Sequence, residues 1–326
     1  MSNKKKIIAA QLSSVHSPAD VLEPENVRRY VSRVTDQVPL DIIIMGWEER
    51  PALFEDLSST KGRLSKEMFL WYPFLSDYPG MVPSHLVINY EAGRSAGWGG
   101  YSGKNINETF KQACPNNIEA VSTSMKHLER LLTTYDFDGV MIDKVRFPSM
   151  ANGLKDVFSC FCPFCMEKAA RAGLDLNDVK IILEKKHFAA VPRKENKTRS
   201  GVRYESEWLY ELLNDQPLLI KFIRFRIDSI SEIVKKISEK IRQMDKKLSL
   251  DIFSPSLTTL VGQDLPTLGS YVDWVKPMIY RFSDGPSSLR SEFPAIVREL
   301  AAYLGFEVEQ IMVWAGSHID GLKGAS

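Results

Sequence analysis

The sequence predicts an α/β fold, a (β/α)8 barrel, and three observations carry that expectation. Short apolar runs rich in β-branched residues alternate with stretches of helical periodicity, the pattern of repeated βα units around a parallel sheet. The chain has 326 residues, 44% of them hydrophobic, which is long for one sandwich and ordinary for one barrel with insertions. Most of the apolar runs end in charged or aromatic residues, as they do where a barrel places its polar groups at the carboxyl ends of strands.

Strands are expected near Lys6–Leu12, Asp41–Trp47, Met68–Pro73, Gly139–Val145, Leu248–Phe253, Val275–Tyr280 and Ile311–Trp314. Between them, Val27, Tyr30, Val31, Val34 and Val38 keep helical spacing, as do Ile118, Val121, Met125, Leu128 and Leu132, with Pro115 near the start of the second set. The longest predicted helix covers Pro217–Met244 and carries an apolar stripe from Leu219 to Ile241, with Asp215 as its expected cap. Seven strands leave a TIM barrel without its last strand, unless Leu86–Tyr90 supplies one. A single domain over residues 1–326 is expected, with an insertion at 149–214. That insertion holds three cysteines, a helix near Met166–Gly173 and a basic stretch from Arg193 to Arg203 that reads as a solvated loop.

The charge balance, 42 Lys+Arg against 41 Asp+Glu, gives no global basic field, so no nucleic-acid partner is expected. No stretch approaches the roughly 18 apolar residues of a membrane span. The run Ile7–Ala10 after the leading lysines is too short for a secretory signal core, so a reducing, cytoplasmic compartment is expected. The sequence says nothing of oligomeric state.

Four cysteines are present. Cys160, Cys162 and Cys165 form a C-x-C-x2-C cluster, and Cys114 stands apart beside Pro115. This is the stoichiometry of a closed tetrahedral zinc site, with buried free thiols or two disulfides as the alternatives. Four thiolates leave zinc no open position, so the expected cofactor is structural and a zinc hydrolase is disfavoured.

Candidate chemistry lies at the strand ends: Trp47, Glu48 and Glu49 on the second, Trp71 and Tyr72 on the third, Asp143, Lys144 and Arg146 on the fourth. Asp251 lies on the fifth, Tyr280 and Arg281 on the sixth, and Trp314, then His318, on the seventh. A carboxylate at the end of a buried strand is costly unless paired or used, and Asp143 has Arg146 and Lys144 within reach as structural partners. Two carboxylates facing one pocket are the minimal apparatus for glycoside cleavage, and Asp143, Asp251 and Glu48 are the candidates. Trp47, Trp71, Tyr72, Arg146, Tyr280, Arg281 and Trp314 are the candidate sugar-binding residues.

The run Cys114-Pro115-Asn116-Asn117, followed by Tyr135 to Pro148 (YDFDGVMIDKVRFP), resembles that of glycoside hydrolase barrels distantly similar to α-amylases. So does Gly262-Gln263-Asp264 followed by Tyr271 to Tyr280 (YVDWVKPMIY). The resemblance implies a glycosidase-like TIM barrel acting on carbohydrate, with Asp143 as its fourth-strand carboxylate. The cysteine set resembles the structural zinc site of the family 42 β-galactosidases, which implies Cys114, Cys160, Cys162 and Cys165 as ligands. That family carries glutamates on strands four and seven where this chain has Asp143 and Trp314. A β-galactosidase assignment is therefore excluded, and the second carboxylate is left open. The alternative from a different class is a barrel that binds carbohydrate without cleaving it.

Overall fold

The computed structural model describes residues 7–13, 17, 19–64, 66–99, 108–185, 216–280 and 285–318. Six parallel strands form one sheet: β1 (Ala9–Ser13), β2 (Ile42–Gly46), β3 (Glu67–Pro73), β4 (Gly139–Asp143), β5 (Lys247–Ile252) and β6 (Trp274–Pro277). Their spatial order is their order in the chain. A doubly wound sheet reverses direction from its first strand, whereas sequential winding is what a β/α barrel needs.

The helices follow the same succession: α1 (Pro24–Gln37) and α2 (Pro51–Leu64) flank β2, and α3 (Ile118–Thr134) precedes β4. Then come α4 (Leu154–Val157), α5 (Pro163–Arg171), α6 (Leu176–Glu184), α7 (Pro217–Gln243), α8 (Leu265–Gly269), α9 (Leu289–Leu304) and α10 (Val308–His318). Among the described residues no helix is long and apolar enough to cross a membrane.

Side-chain alternation along the strands separates two apolar groups. Ile43, Met45, Met68, Leu70, Tyr72, Val140, Ile142, Leu248 and Leu250 join the helices in the large outer core. Ile42, Ile44, Phe69, Trp71 and Met141, with Trp47 and the half-buried Trp274, form a separate inner group. Two cores from one sheet follow from the period of two along a strand. The inner one lies on the concave side.

Curvature is visible in one contact: Lys276 Nζ on β6 donates to Gln11 Oε1 on β1 at 2.7 Å. A flat sheet of this size would hold its edge strands about 24 Å apart, far beyond the reach of a lysine. The sheet therefore curls into a partial barrel, although β1 and β6 form no ladder with each other.

Two expectations are corrected. Ile311–Trp314 is not a strand but lies within α10. A four-residue apolar run fits either state, and here Ile311 is buried while Met312 and Val313 are exposed, one face of a helix. Leu86–Tyr90 is not a strand either, making only isolated bridges, Leu86 with Ala113 and Ile88 with Arg94. Of the other elements, the segment from Arg193 to Arg203, the expected cap Asp215, and residue Arg281 lie outside the described residues.

Candidate functional site

A cavity of about 260 Å³ opens at the carboxyl ends of the strands, walled by Trp47, Trp71, Glu108, Asp143, Lys144, Arg146 and Tyr280, among others. Its floor follows from register. Trp71 on β3 is opposite Met141 on β4, and the next inward position on β4 is Asp143. Asp143 and Asp251 continue the β4–β5 ladder side by side, and Asp251 is opposite Lys276 on β6. One inward layer of the barrel therefore holds two carboxylates and one ammonium on three adjacent strands.

Asp143 is buried, and its oxygens are held by two donors: Trp71 Nε1 at 3.0 Å and the Lys144 amide at 2.5 Å. Burial raises its pKa above the usual carboxylate range, against the opposing pull of Lys144 and Lys276. Among the described residues no guanidinium locks it. Arg146, the structural partner weighed from the sequence, donates instead to the Phe147 carbonyl at 2.9 Å and lies over the Phe253 ring at 4.9 Å.

Asp251 is 0% exposed and makes an ion pair with Lys276 at 2.7 Å. Burial first, then the charge of Asp143, pushes its pKa well up. Its Oδ1 has no hydrogen-bond partner among the described residues. Lys276 also donates to Tyr280 Oη at 3.1 Å, which links the carboxylate layer to the cavity wall. Asp251 itself does not line the cavity, whereas Tyr280, bonded to its partner Lys276, does.

Two residues at strand ends have backbones that L-residues rarely adopt: Trp47, with φ 112°, and Lys144, with φ 54°. Each turns its side chain into the cavity, and Lys144 Nζ lies 4.5 Å from the centre of the Trp47 ring and 3.9 Å from that of Phe110. Strain of this kind costs roughly 1–3 kcal/mol and persists where surrounding contacts over-determine it. Here the contacts are ionic as well, since Lys144 pairs with Asp77 at 2.6 Å and Glu108 at 2.8 Å. Trp47 stands edge-on to Trp71 with ring centres 4.8 Å apart, which gives the cavity an aromatic wall.

Glu108 and Phe110 were missed from the sequence. They belong to no apolar run, and reach the cavity because Asp77 accepts from Thr109 N, Thr109 Oγ1 and Phe110 N at 3.0, 2.6 and 3.3 Å. The pattern Glu-Thr-Phe carries no signal by which they could have been found.

Several expected site residues lie elsewhere. Tyr72 faces the helices, where it donates to the Ser124 carbonyl at 3.0 Å and stacks on His127, because the residue next to inward-facing Trp71 points outward. Glu48 is exposed and does not line the cavity. Glu49 turns outward to Arg130 at 3.0 and 2.5 Å and to Tyr135 at 2.8 Å, and the Arg130 hydrogen bonds hold its pKa low. Trp314 lies on α10 rather than at a strand end. The structure thus gathers Trp47, Trp71, Asp143, Arg146 and Tyr280 around one cavity, with Asp251 directly behind.

The cysteines converge at a second place. The sulfurs of Cys114, Cys160, Cys162 and Cys165 lie within 4.8 Å of one another, all buried. Two of the separations are 3.4 and 3.5 Å, between Cys114 and Cys165 and between Cys162 and Cys114. A tetrahedral ion with metal–sulfur bonds of about 2.3 Å needs sulfurs about 3.8 Å apart, so the donor set fits a metal. None of the four is in a disulfide. Backbone amides of Ile88, Asn116 and Cys162 donate to these sulfurs at 3.4 Å, as outer donors around ligating thiolates do.

A curved run of parallel strands, with a carboxylate-bearing aromatic cavity at their carboxyl ends, defines a β/α-barrel protein with the site position of barrel enzymes. The chain belongs to the family described as "Putative glycosyl hydrolase domain", which matches residues 130–296, just over half of its length. That span includes Asp143, Asp251, Lys276 and three of the four cysteines. Among solved structures, the chain is similar to the β-amylase catalytic domain of Paenibacillus polymyxa, at 8% identity, with 96% of this chain and 90% of that one covered and a TM-score of 0.46. It is also similar to the spore cortex-lytic enzyme SleL of Bacillus megaterium, at 9% identity, 96% and 48% coverage and a TM-score of 0.41. A Group II chitinase catalytic domain of Ostrinia furnacalis matches at 12% identity, 84% and 50% coverage and a TM-score of 0.39. The chain spans about half the length of the latter two. No curated protein matches.

Proposed function

We propose that the chain hydrolyses a glycosidic bond in this cavity. The observation that carries the reading is Asp143, a buried carboxylate on the cavity wall, held among the described residues by the Trp71 indole and its neighbour's amide rather than by a guanidinium. Asp143 is assigned as nucleophile or base. Asp251, with its pKa raised further by burial and by Asp143, is the member of the pair that retains a proton to higher pH. Lys276 and Tyr280 connect it to the cavity. Trp47 and Trp71 offer apolar faces to a sugar ring, and Arg146 and Tyr280 offer polar groups to its hydroxyls.

The test is Asp143→Asn against wild type on a panel of chromogenic glycosides and polysaccharides. A loss of roughly 10²–10⁴-fold in turnover, with the variant still unfolding in one cooperative transition, is expected. Undiminished hydrolysis by the variant removes Asp143 from the mechanism. A second reading, a barrel that binds glycan without cleaving it, is favoured by the full burial of Asp251 and its ion pair with Lys276. Glycan binding by wild type with no reducing ends released would select it.

The same reading assigns Cys114, Cys160, Cys162 and Cys165 to one structural zinc ion. The support is the sulfur geometry together with the ring of N–H donors. Bound there, the metal would supply cross-linking of the loop before α3 to the start of α5, and no step of the hydrolysis.

A further inference from the structure

The apolar face of α7 is interrupted once by a full charge. Arg226 is 0% exposed, and its Nε and both terminal nitrogens have no hydrogen-bond partner among the described residues. Its guanidinium lies over Phe147 at 4.5 Å and Phe222 at 5.8 Å, contacts that favour a cation without neutralising it. No described carboxylate lies within ion-pair distance. Phe222 in turn packs on Phe161, the residue between Cys160 and Cys162, with ring centres 5.5 Å apart, so the guanidinium lies on the face of α7 turned to the cysteine segment. Burial, against the raising influence of Cys160 and Cys165, pulls its pKa down to about 9, which still leaves it protonated at neutral pH.

One turn further along α7, Ser229 accepts from the Asn116 amide at 3.0 Å, and the same amide donates to Cys165 Sγ at 3.3 Å. Lys168 donates to Asn116 Oδ1 at 2.9 Å from the surface side, where it also pairs with the half-exposed Glu232. N–H groups therefore donate to the sulfurs directly, and Lys168 reaches them through Asn116. Such donors stabilise a thiolate far more than a thiol, whose sulfur accepts only weakly. Four thiolates around one divalent ion carry two negative charges in excess of the metal's two positive ones.

We propose that Arg226 is the buried counter-charge of a metal–tetrathiolate dianion formed by Cys114, Cys160, Cys162 and Cys165, with Lys168 acting from the opposite side through Asn116. The inference rests on the metal reading above and adds to it a residue that touches no metal. It explains why a helix otherwise apolar on this face carries a guanidinium with no described carboxylate beside it. A buried charge is tolerated when its opposite is close by.

The experiment uses the full chain. Zinc content of wild type, and the sulfur-to-cobalt charge-transfer absorption of Co²⁺-loaded protein, test the metal reading alone. Arg226→Met and Arg226→Lys are then compared with wild type for metal retention against a chromophoric chelator, and for thermal melts with and without metal. Arg226→Met is expected to bind zinc about 10–100-fold more weakly, while Arg226→Lys stays within about threefold of wild type. Arg226→Met should also melt lower than wild type when loaded and higher when metal-free, because without the dianion the guanidinium is an uncompensated buried charge. A purely packing role shifts both melts downward together, and that result overturns the proposal. So does an equal loss of affinity in the lysine variant, which remains decisive if the methionine variant fails to fold. Wild type without zinc and without a tetrathiolate cobalt spectrum overturns the metal reading itself.

Discussion

Asp143 and Asp251 differ in what surrounds them more than in their chemistry. One faces a cavity with an indole and an amide on its oxygens, and the other lies behind it against an ammonium. Both have raised pKa values in the folded state, through burial above all. An unfolded aspartate titrates near 3.9, so above that pH the native state binds more protons than the unfolded one. Stability should therefore fall as pH rises from about 4 through the folded pKa values. Asp251→Asn should flatten that decline, read as urea unfolding free energies between about pH 4 and 8. A decline as steep as in wild type would show that Asp251 is not buried as a titrating group. The candidate residues were legible at this scale, since their positions follow from apolar runs that end in charge. Their partners were not: Asp143 had Arg146 three residues away in sequence, yet takes its hydrogen bond from Trp71, 72 residues away.

Single elements carry their own instructions, and α3 shows how. Asn117 caps it, its side-chain oxygen accepting from Glu119 N at 3.0 Å and Ala120 N at 3.2 Å, and its amide also reaches the Ser84 carbonyl at 3.0 Å. Asn117→Ala should cost about 1–2 kcal/mol by chemical denaturation, and a change within error would mean that water replaces the cap. Gly46 ends β2 at φ +145°, where a Cβ would fall 2.4 Å from the Trp71 carbonyl oxygen. Gly46→Ala should destabilise by at least about 1–3 kcal/mol and displace Trp71, which quenching of tryptophan fluorescence by acrylamide would read. Six of the seven expected strands match observed ones within a few residues because β-branched runs state their periodicity locally. Ile311–Trp314 misled because four apolar residues contain no full period, and packing against the rest of the fold selected a helix.

Over the whole molecule, distant segments are held together by, among others, the Lys276–Gln11 bond across the barrel mouth and the four-cysteine cluster. The cluster joins Cys114 before α3 to the segment 160–165, so if it holds the proposed metal, removing that metal should loosen two connections at once. Treatment with a strong chelator under reducing conditions is expected to lower the thermal midpoint by on the order of 10 °C, with recovery when zinc is restored. An unchanged midpoint, with zinc shown to be gone, would mean that the thiols pack without it.

The cysteine set, the strand order and the carboxylates at strand ends were determined by the sequence itself, because spacing, periodicity and side-chain type are properties of neighbours in the chain. Folding alone decided that Trp71 faces the cavity while Tyr72 faces α3, that Lys144 binds Asp77 and Glu108, and that Asn116 links Ser229 on α7 to Cys165. Each of these depends on which way a strand residue faces or on contacts between residues far apart in sequence. Such contacts exist only once the sheet has curled and the helices have packed upon it.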